Sequence, residues 1–483
     1  MFIRKPSTRV AVMAGLLGVL TLAPSQQALA DDGGVHSRGG WTMYNYDPQG
    51  SRYNMAEHHL GPRNVAGLKV LWRVPTSGTV TGTPAVSDGV VYAGDLNGDV
   101  YAVTTEGTVL WTTHVTGRVS ASIAVIRNTL VFGDLAGYLY GLDPHTGAIR
   151  WKIRPNPHPI AAIYGSATQV GKYFAIGTTI DAEEPGVPLG AAAGGRGSVL
   201  LADPSDGRVI WQTYTVTSAE LAAGATGADV WATPTYDQHT GMLYVTTGNN
   251  FNLPVTPTED AIMGLNARTG QIRWVDQAYN HDIFPSPGQP GQDVDYDFGD
   301  SAHLYRLADG ETVVGAGDKD GSYYVVDAAT GAPVNQLQVE PGGFLGGLFA
   351  TAAEHNGVVF ANGINWPGND LVTGVPPTAG DLIAIAGDGS RVLWRFTTPG
   401  SPDLSGVAVA NGVVYFQTMT DGNLYALDER TGVELAHVLT GGAHSGPAVA
   451  GGRIYLGTGV TAGRIKTYDY PGTPGIVAVG LDQ

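Results

Sequence analysis

"GNLYALDERTGVELAHV", residues 422–438, sets two short apolar runs on either side of the turn "DERTG", and it decides the fold because its first half recurs. The matching runs are "GDVYAVT" from Gly98, "GYLYGLD" from Gly137, "GSVLLAD" from Gly197, "DAIMGLN" from Asp260, "GSYYVVD" from Gly321, "GDLIAIA" from Gly380 and "GIVAVGLD" from Gly475. Each is apolar or alternates with period two, is rich in β-branched and aromatic residues, and is bounded by glycine or aspartate; each therefore reads as a strand. Around it the unit is constant. An opening strand such as "GTPAVSD" (82–88) leads to a second such as "GVVYAGD" (89–95), then the recurrent third, a tight turn, and a fourth such as "AIRWKI" (148–153). The turns owe their aspartates and glycines to backbone geometry.

Four strands per unit, at spacings of about 39 to 63 residues, specify propeller blades with variable loops. The chain is expected to be all-β: an eight-bladed β-propeller of four-stranded antiparallel blades over residues 68–483. The eighth unit stops at its third strand. Its fourth is expected from the N-terminal side, where "LKVLWRVPT" (68–76) shares the tryptophan pattern of "TVLWTTHV" and "AIRWKI" and would close the ring. Trp72, Trp111, Trp151, Trp211, Trp274 and Trp394 recur at one place in the unit, which marks them as inter-blade packing. The preceding segment, 31–67, contains "WTMYNYDPQGSRYN" (41–54) and is expected to lie across the propeller as a polar and aromatic strap.

The 483 residues include 70 glycines, 29 prolines and no cysteine. Residues 1–30 read as a secretory signal peptide: Arg4, Lys5 and Arg9, then the apolar run Val10 to Ala23, then Ala28-Leu29-Ala30 as cleavage site. No other stretch reaches the roughly 18 apolar residues of a membrane span. A secreted, periplasmic or cell-surface protein is expected. The absence of cysteine removes disulfides, thiolate metal sites and covalently attached c-type haem. The formal charge of −17 argues against nucleic acid as partner.

In such a blade the loops after strands two and four emerge at one end. The long insertions, 177–196, 249–259, 278–299 and 362–379, all belong to that end, where binding and catalysis are expected. Into it the sequence delivers Asp181, Glu183 and Glu184, then Asn249, Asn250 and Asn252, the acidic stretch "DVDYDFGD" (293–300), and Lys319. Carboxylate and amide oxygens without thiolate or a histidine pair favour a hard cation such as Ca²⁺ over zinc. The plain alternative is a solvated acidic surface. Most of the twelve histidines, His158 and His281 among them, read as ordinary loop residues.

With "NPHPIAAIYGS" (156–166), "GADVWATPTYDQHTGMLYVTTGNN" (227–250), "DAIMGLNARTGQIRW" (260–274), "DYDFGDS" (295–301) and "AGDKDGSYYVVDAATG" (316–331), the mature chain resembles the pyrroloquinoline quinone (PQQ) dependent alcohol dehydrogenases. Within them it is most similar to the polyvinyl alcohol dehydrogenase branch. The resemblance implies oxidation of a small or polymeric alcohol with PQQ and Ca²⁺ as cofactors. It implies Trp231 as the floor on which the quinone stacks, opening the first strand of unit four, and Asn249 as a metal ligand. Asp297 matches the general base, Lys319 the basic residue at the quinone carbonyls, and Asp295 a further cofactor or metal contact. Thr178-Thr179 stands where the family has a serine pair, which makes Glu183 the acidic metal ligand, with Asp181 next. Asp293 and Asp300 read as solvent or turn residues.

The family's adjacent-cysteine ring and its haem-attachment motif are absent from the chain, so electrons would pass to a separate acceptor such as a cytochrome. Two other classes stay open at this point. A non-catalytic envelope scaffold shares the blade repeat without needing Trp231, Asn249, Asp297 and Lys319, and a propeller hydrolase or lyase would use acidic loops with Ca²⁺.

Overall fold

The computed structural model describes residues 39–482 apart from 183–186, 189, 285–294, 344–345, 366–378, 443 and 460–472. The candidate signal peptide, Glu183, Glu184 and Asp293 therefore lie outside the described residues. Among the described residues eight antiparallel blades follow one another along the chain, seven of four strands and the third of five, and a separate two-stranded sheet pairs Thr226–Gly227 with Asn250–Asn252. The first blade runs Ala85–Ser87, Val90–Gly94, Asp99–Thr104 and Val109–His114. In the eighth, Gly475–Gly480 pairs with Lys69–Pro75, Lys69 opposite Gly480 and Pro75 opposite Gly475. The ring closes as the repeat requires, by joining the two ends of the chain in one sheet.

The third strands are apolar throughout because they are buried on both faces, as Ser198–Ala202 and Ser322–Asp327 show. The fourth strands form the outer edge and alternate between exposed and half-buried, as in Pro333–Gln338. Their tryptophans dock onto the next blade. The indole N–H of Trp72 donates to Thr105 O (2.9 Å), that of Trp111 to Pro144 O (3.1 Å), of Trp151 to Pro204 O (2.9 Å) and of Trp211 to Ala267 O (2.9 Å). Trp274 reaches Ala328 O and Trp394 reaches Glu429 O in the same way. The turn glycine beneath each ring is required twice over. Gly331 has φ +70°, and a methyl there would lie 2.4 Å from the Trp274 ring; only glycine meets both conditions without strain.

Residues 41–54 do more than cross the propeller. They pair with the innermost strand of seven blades: Trp41 with Val86, Thr42 with Val125, Pro48 with Tyr236, Gln49 with Leu304, Ser51 with Glu354, Arg52 with Val409, and Asn54 with Val449. The inner edges that would otherwise expose unpaired backbone are thereby satisfied. Arg52 is fully buried, its guanidinium donating to the carbonyls of Tyr44, Val407 and Pro447 and lying 4.7 Å from the Tyr44 ring centroid.

One aspartate differs from its sequence reading. Asp300 is no turn or solvent residue but is fully buried: Oδ1 accepts from His303 Nε2 (2.8 Å) and Ala352 N (3.0 Å), and Oδ2 from Gly317 N (2.9 Å). His303, buried too, reaches Gly50 O with Nδ1 at 2.6 Å. Burial alone lowers the His303 pKa, but Asp300 outweighs it and the net shift is upward from 6.5. The folded protein thus holds a proton that the unfolded chain releases near pH 6.5. The stabilisation is full below that value and is lost as pH rises through the folded-state pKa. His303→Gln should therefore cost about 1.5–3 kcal/mol at about pH 5.5 and distinctly less at about pH 9, read from denaturation midpoints. A penalty independent of pH would contradict the charged pair.

The helix content among the described residues is one 3-10 turn, Val65–Gly67, and one five-residue α-helix, Ser218–Ala222, closed by a capping box between Thr217 and Glu220. Among them no helix is long and apolar enough to cross a membrane.

Candidate active site

Five loops at one end of the propeller meet over blades three to five. The link into blade four brings Asp229 and Trp231. Trp231 sits four residues before the strand Thr235–Asp237 rather than opening it, in a lead-in that the shortness of the inner strands leaves free to turn its ring into the site. The link into blade five brings Asp295 and Asp297. The loops after the second strands bring Asp181, Asn249 and Lys319.

Asp297 is the centre of this group. Its Oδ1 accepts the Asn249 backbone N–H at 2.7 Å, and its Oδ2 accepts from Lys319 Nζ. Lys319 Nζ also lies 3.2 Å from Asp295 Oδ2. The Lys319 backbone N–H donates to Asp297 O (3.0 Å), so the two loops are tied through main chain and side chain alike. All three side chains are at least nine-tenths buried. The Lys319 ammonium stands 5.5 Å from the Trp231 ring centroid and 5.6 Å from that of Phe349, and the two rings are 5.5 Å apart at 55°.

Small residues make room beside the indole. A methyl at Gly248 would lie 2.4 Å from Asp297 Oδ1 and 3.1 Å from Trp231 Nε1, and one at Gly299 would lie 2.3 Å from Phe349 O and 3.0 Å from the Trp231 ring. Trp231 is half-buried, leaving ring surface for a flat ligand. The Asn249 amide is fixed by its Nδ2, which donates to Asn250 O (3.0 Å) and Phe284 O (2.7 Å), turning Oδ1 away from both. Asp181 is half-buried and takes the Tyr164 hydroxyl at 2.9 Å.

Negative charge is in excess here. Asp260, Asp282 and Asp318 are buried near Asp297, and burial followed by repulsion from neighbouring carboxylates pushes all three up, Asp282 to about 9; the largest repulsion comes from Asp282 at Asp260, from Asp295 at Asp282 and from Asp320 at Asp318, with Asp297 adding to each. Asp229 is pushed well up by burial and then by Asp297 and Asp181. Uncompensated carboxylates in a dry pocket demand either protons or a cation. Among the described residues no three His, Cys, Asp or Glu side chains form a ready-made metal cage. The acceptor set is mixed, carboxylate plus amide, which suits a hard ion.

Sequence reasoning brought Trp231, Asn249, Asp295, Asp297 and Lys319 to one place and put Asp181 on the same face. It missed Asp229, Phe349, Asp260 and Asp282. Lys319 carries a signal of its own: "GDKDG" places a charge where the equivalent turns "GDLNG" and "GDLAG" have Leu96 and Leu135.

The family model described as outer membrane protein assembly factor BamB, PQQ_2, matches residues 66–334 and 319–470. The chain belongs to the PQQ_2 family. It is 28% identical to polyvinylalcohol dehydrogenases from Pseudomonas sp (370 residues) and Sphingopyxis sp. (384 residues), in each case over 67% of this chain and 56% of the relative. The match thus spans little more than half the length of those relatives. The PQQ_2 propeller superposes on the quinohemoprotein alcohol dehydrogenase of Comamonas testosteroni with TM-score 0.73 at 20% identity, covering 92% of this chain and 81% of that one. A europium-containing methanol dehydrogenase gives 0.74 at 17% identity, over 92% and 99%. The resemblance read from the sequence is borne out, and both structures share the fold.

Proposed function

We propose that this chain is an exported quinoprotein dehydrogenase that oxidises an alcohol, secondary or polymeric, with PQQ and Ca²⁺ at the site just described. The observation that carries the reading is the grouping of Trp231, Asn249, Asp297 and Lys319 around a glycine-lined recess. The residues fit the absent groups: an indole face cleared by Gly248 and Gly299 suits a planar quinone, and an excess of buried oxygens suits a divalent cation. When bound, the quinone supplies the hydride acceptor and the metal a Lewis acid.

The chain's own part is positioning and proton transfer. Asp297 takes the hydroxyl proton as hydride leaves the carbinol carbon, its carboxylate aimed by the Asn249 N–H. Lys319 provides fixed positive charge beside the developing negative charge and holds Asp295 and Asp297 in register. Trp231 and Phe349 bound the recess and exclude water. Asn249 and an acidic residue of 181–183 hold the metal, Glu183 or Asp181. Electrons then leave to a separate acceptor such as a cytochrome.

The test is reconstitution of the mature protein with PQQ and Ca²⁺, followed by dye reduction with a panel that includes polyvinyl alcohol and small secondary alcohols. Quinone quenching of tryptophan fluorescence reports binding independently of turnover. Absence of quinone binding would favour the second reading, an envelope scaffold, which the family description supports.

A further inference from the structure

We infer that Asp229, which the sequence reading passed over, is a ligand of the cation through Oδ1. The inference rests on the calcium site proposed above. Asp229 is 7% exposed. Its Oδ2 accepts the Ile180 backbone N–H at 2.9 Å, while its Oδ1 is buried with no hydrogen-bond partner among the described residues. The carboxylate is therefore fixed in orientation and has one oxygen unanswered, a costly arrangement for a buried anion.

Its surroundings say what would answer it. Gly248 N donates to Asp229 O (2.9 Å) and Ala228 N to Asn249 O (2.8 Å), so the two segments run side by side and Asp229 lies next to the Asn249 loop. Ile180, which holds Oδ2, directly precedes Asp181. The charges of Asp297, the candidate base, and Asp181, a candidate ligand, both bear on Asp229. Lys319, the ammonium beside Asp297, is engaged with Asp295 and Asp297. A divalent cation shared by Asp229, Asn249 and Asp181 relieves this repulsion and takes up the orphaned oxygen. The ligand chemistry is that of Ca²⁺, which accepts carboxylate and amide oxygens in flexible numbers.

Asp403 provides the control. It too is buried, with one oxygen that has no partner among the described residues, but its charged neighbour is Asp421 and its other oxygen accepts from Ser405, away from the site residues.

The experiment titrates Ca²⁺ into metal-free mature protein by calorimetry, with and without PQQ. Asp229→Asn is expected to weaken Ca²⁺ by about tenfold or more, and Asp403→Asn to leave it within about twofold. Equal affinity of wild type and Asp229→Asn overturns the inference and leaves the site reading standing. A wild type that binds no Ca²⁺ overturns both. Should Asp229→Asn not fold, anomalous scattering from Ca²⁺-soaked wild-type crystals decides: an ion about 2.3–2.6 Å from Asp229 Oδ1 supports the assignment, and one beyond about 4 Å refutes it.

Discussion

Asp297→Asn is expected to lower the turnover of the PQQ-loaded protein by about 10²–10⁴-fold, the usual contribution of a positioned base. The substitution is nearly isosteric. With Oδ1 kept toward Asn249 N, the ties from the Asn249 and Lys319 backbone N–H groups to residue 297 persist, while Nδ2 replaces Oδ2 and the Lys319 ammonium keeps Asp295 as its carboxylate partner. Quinone affinity should then change by less than about tenfold, and the loss should appear in kcat more than in KM. Steady-state dye reduction together with fluorescence titration separates the two quantities. A variant that keeps more than a third of the turnover would remove Asp297 from the role of base, and Asp295, which meets the same ammonium, would take its place as the residue to test.

Lys319→Met should be the most damaging substitution for stability, at about 3–5 kcal/mol. Methionine fills a similar volume beside Trp231 and Phe349, so packing changes little. The charge is what is lost: Asp295 and Asp297 remain buried without the ammonium, next to Asp282 and Asp260, which are already pushed up by burial and repulsion. Each must then take a proton or distort its loop. Chemical denaturation of the metal-free protein measures the cost, and Asp295→Asn in the same background should recover part of it, because one of the two stranded charges is gone. A loss below about 1 kcal/mol would mean that solvent reaches the pair and that the site is wetter than its burial indicates.

Legibility from sequence followed the range of the interactions. The blade repeat is local: four strands and a turn glycine, with a docking tryptophan in six of the eight units, fall within some 60 residues, so copies such as Gly137 to Asp143 and Gly197 to Asp203 announce themselves. Closure by residues 68–76 was legible as well, because that stretch carries the tryptophan pattern of other fourth strands and only the eighth unit lacked a fourth strand. The face on which the site lies followed from strand alternation alone. Lys319 and Asn249 were legible because "GDKDG" and "TTGNN" lie on that face and match the family's motifs.

What the sequence could not rank was the aspartates. In "DVDYDFGD" one residue type recurs at near-equal spacing, and only the tertiary structure separates Asp297 against Asn249 and Lys319 from Asp300 against His303, Gly317 and Ala352. Asp229 was invisible for the same reason: its partner Ile180 is 49 residues away in another blade, and an orphaned oxygen is a property of what surrounds a side chain. The strap shows it too. Its aromatic composition marked it as special, but its pairing with seven inner strands depends on edges that exist only once the ring has closed. Sequence by itself determined the architecture, because periodic burial is written residue by residue. The charge balance at the site was decided only in three dimensions, because the field at one carboxylate is set by groups that the chain brings together from four separate loops.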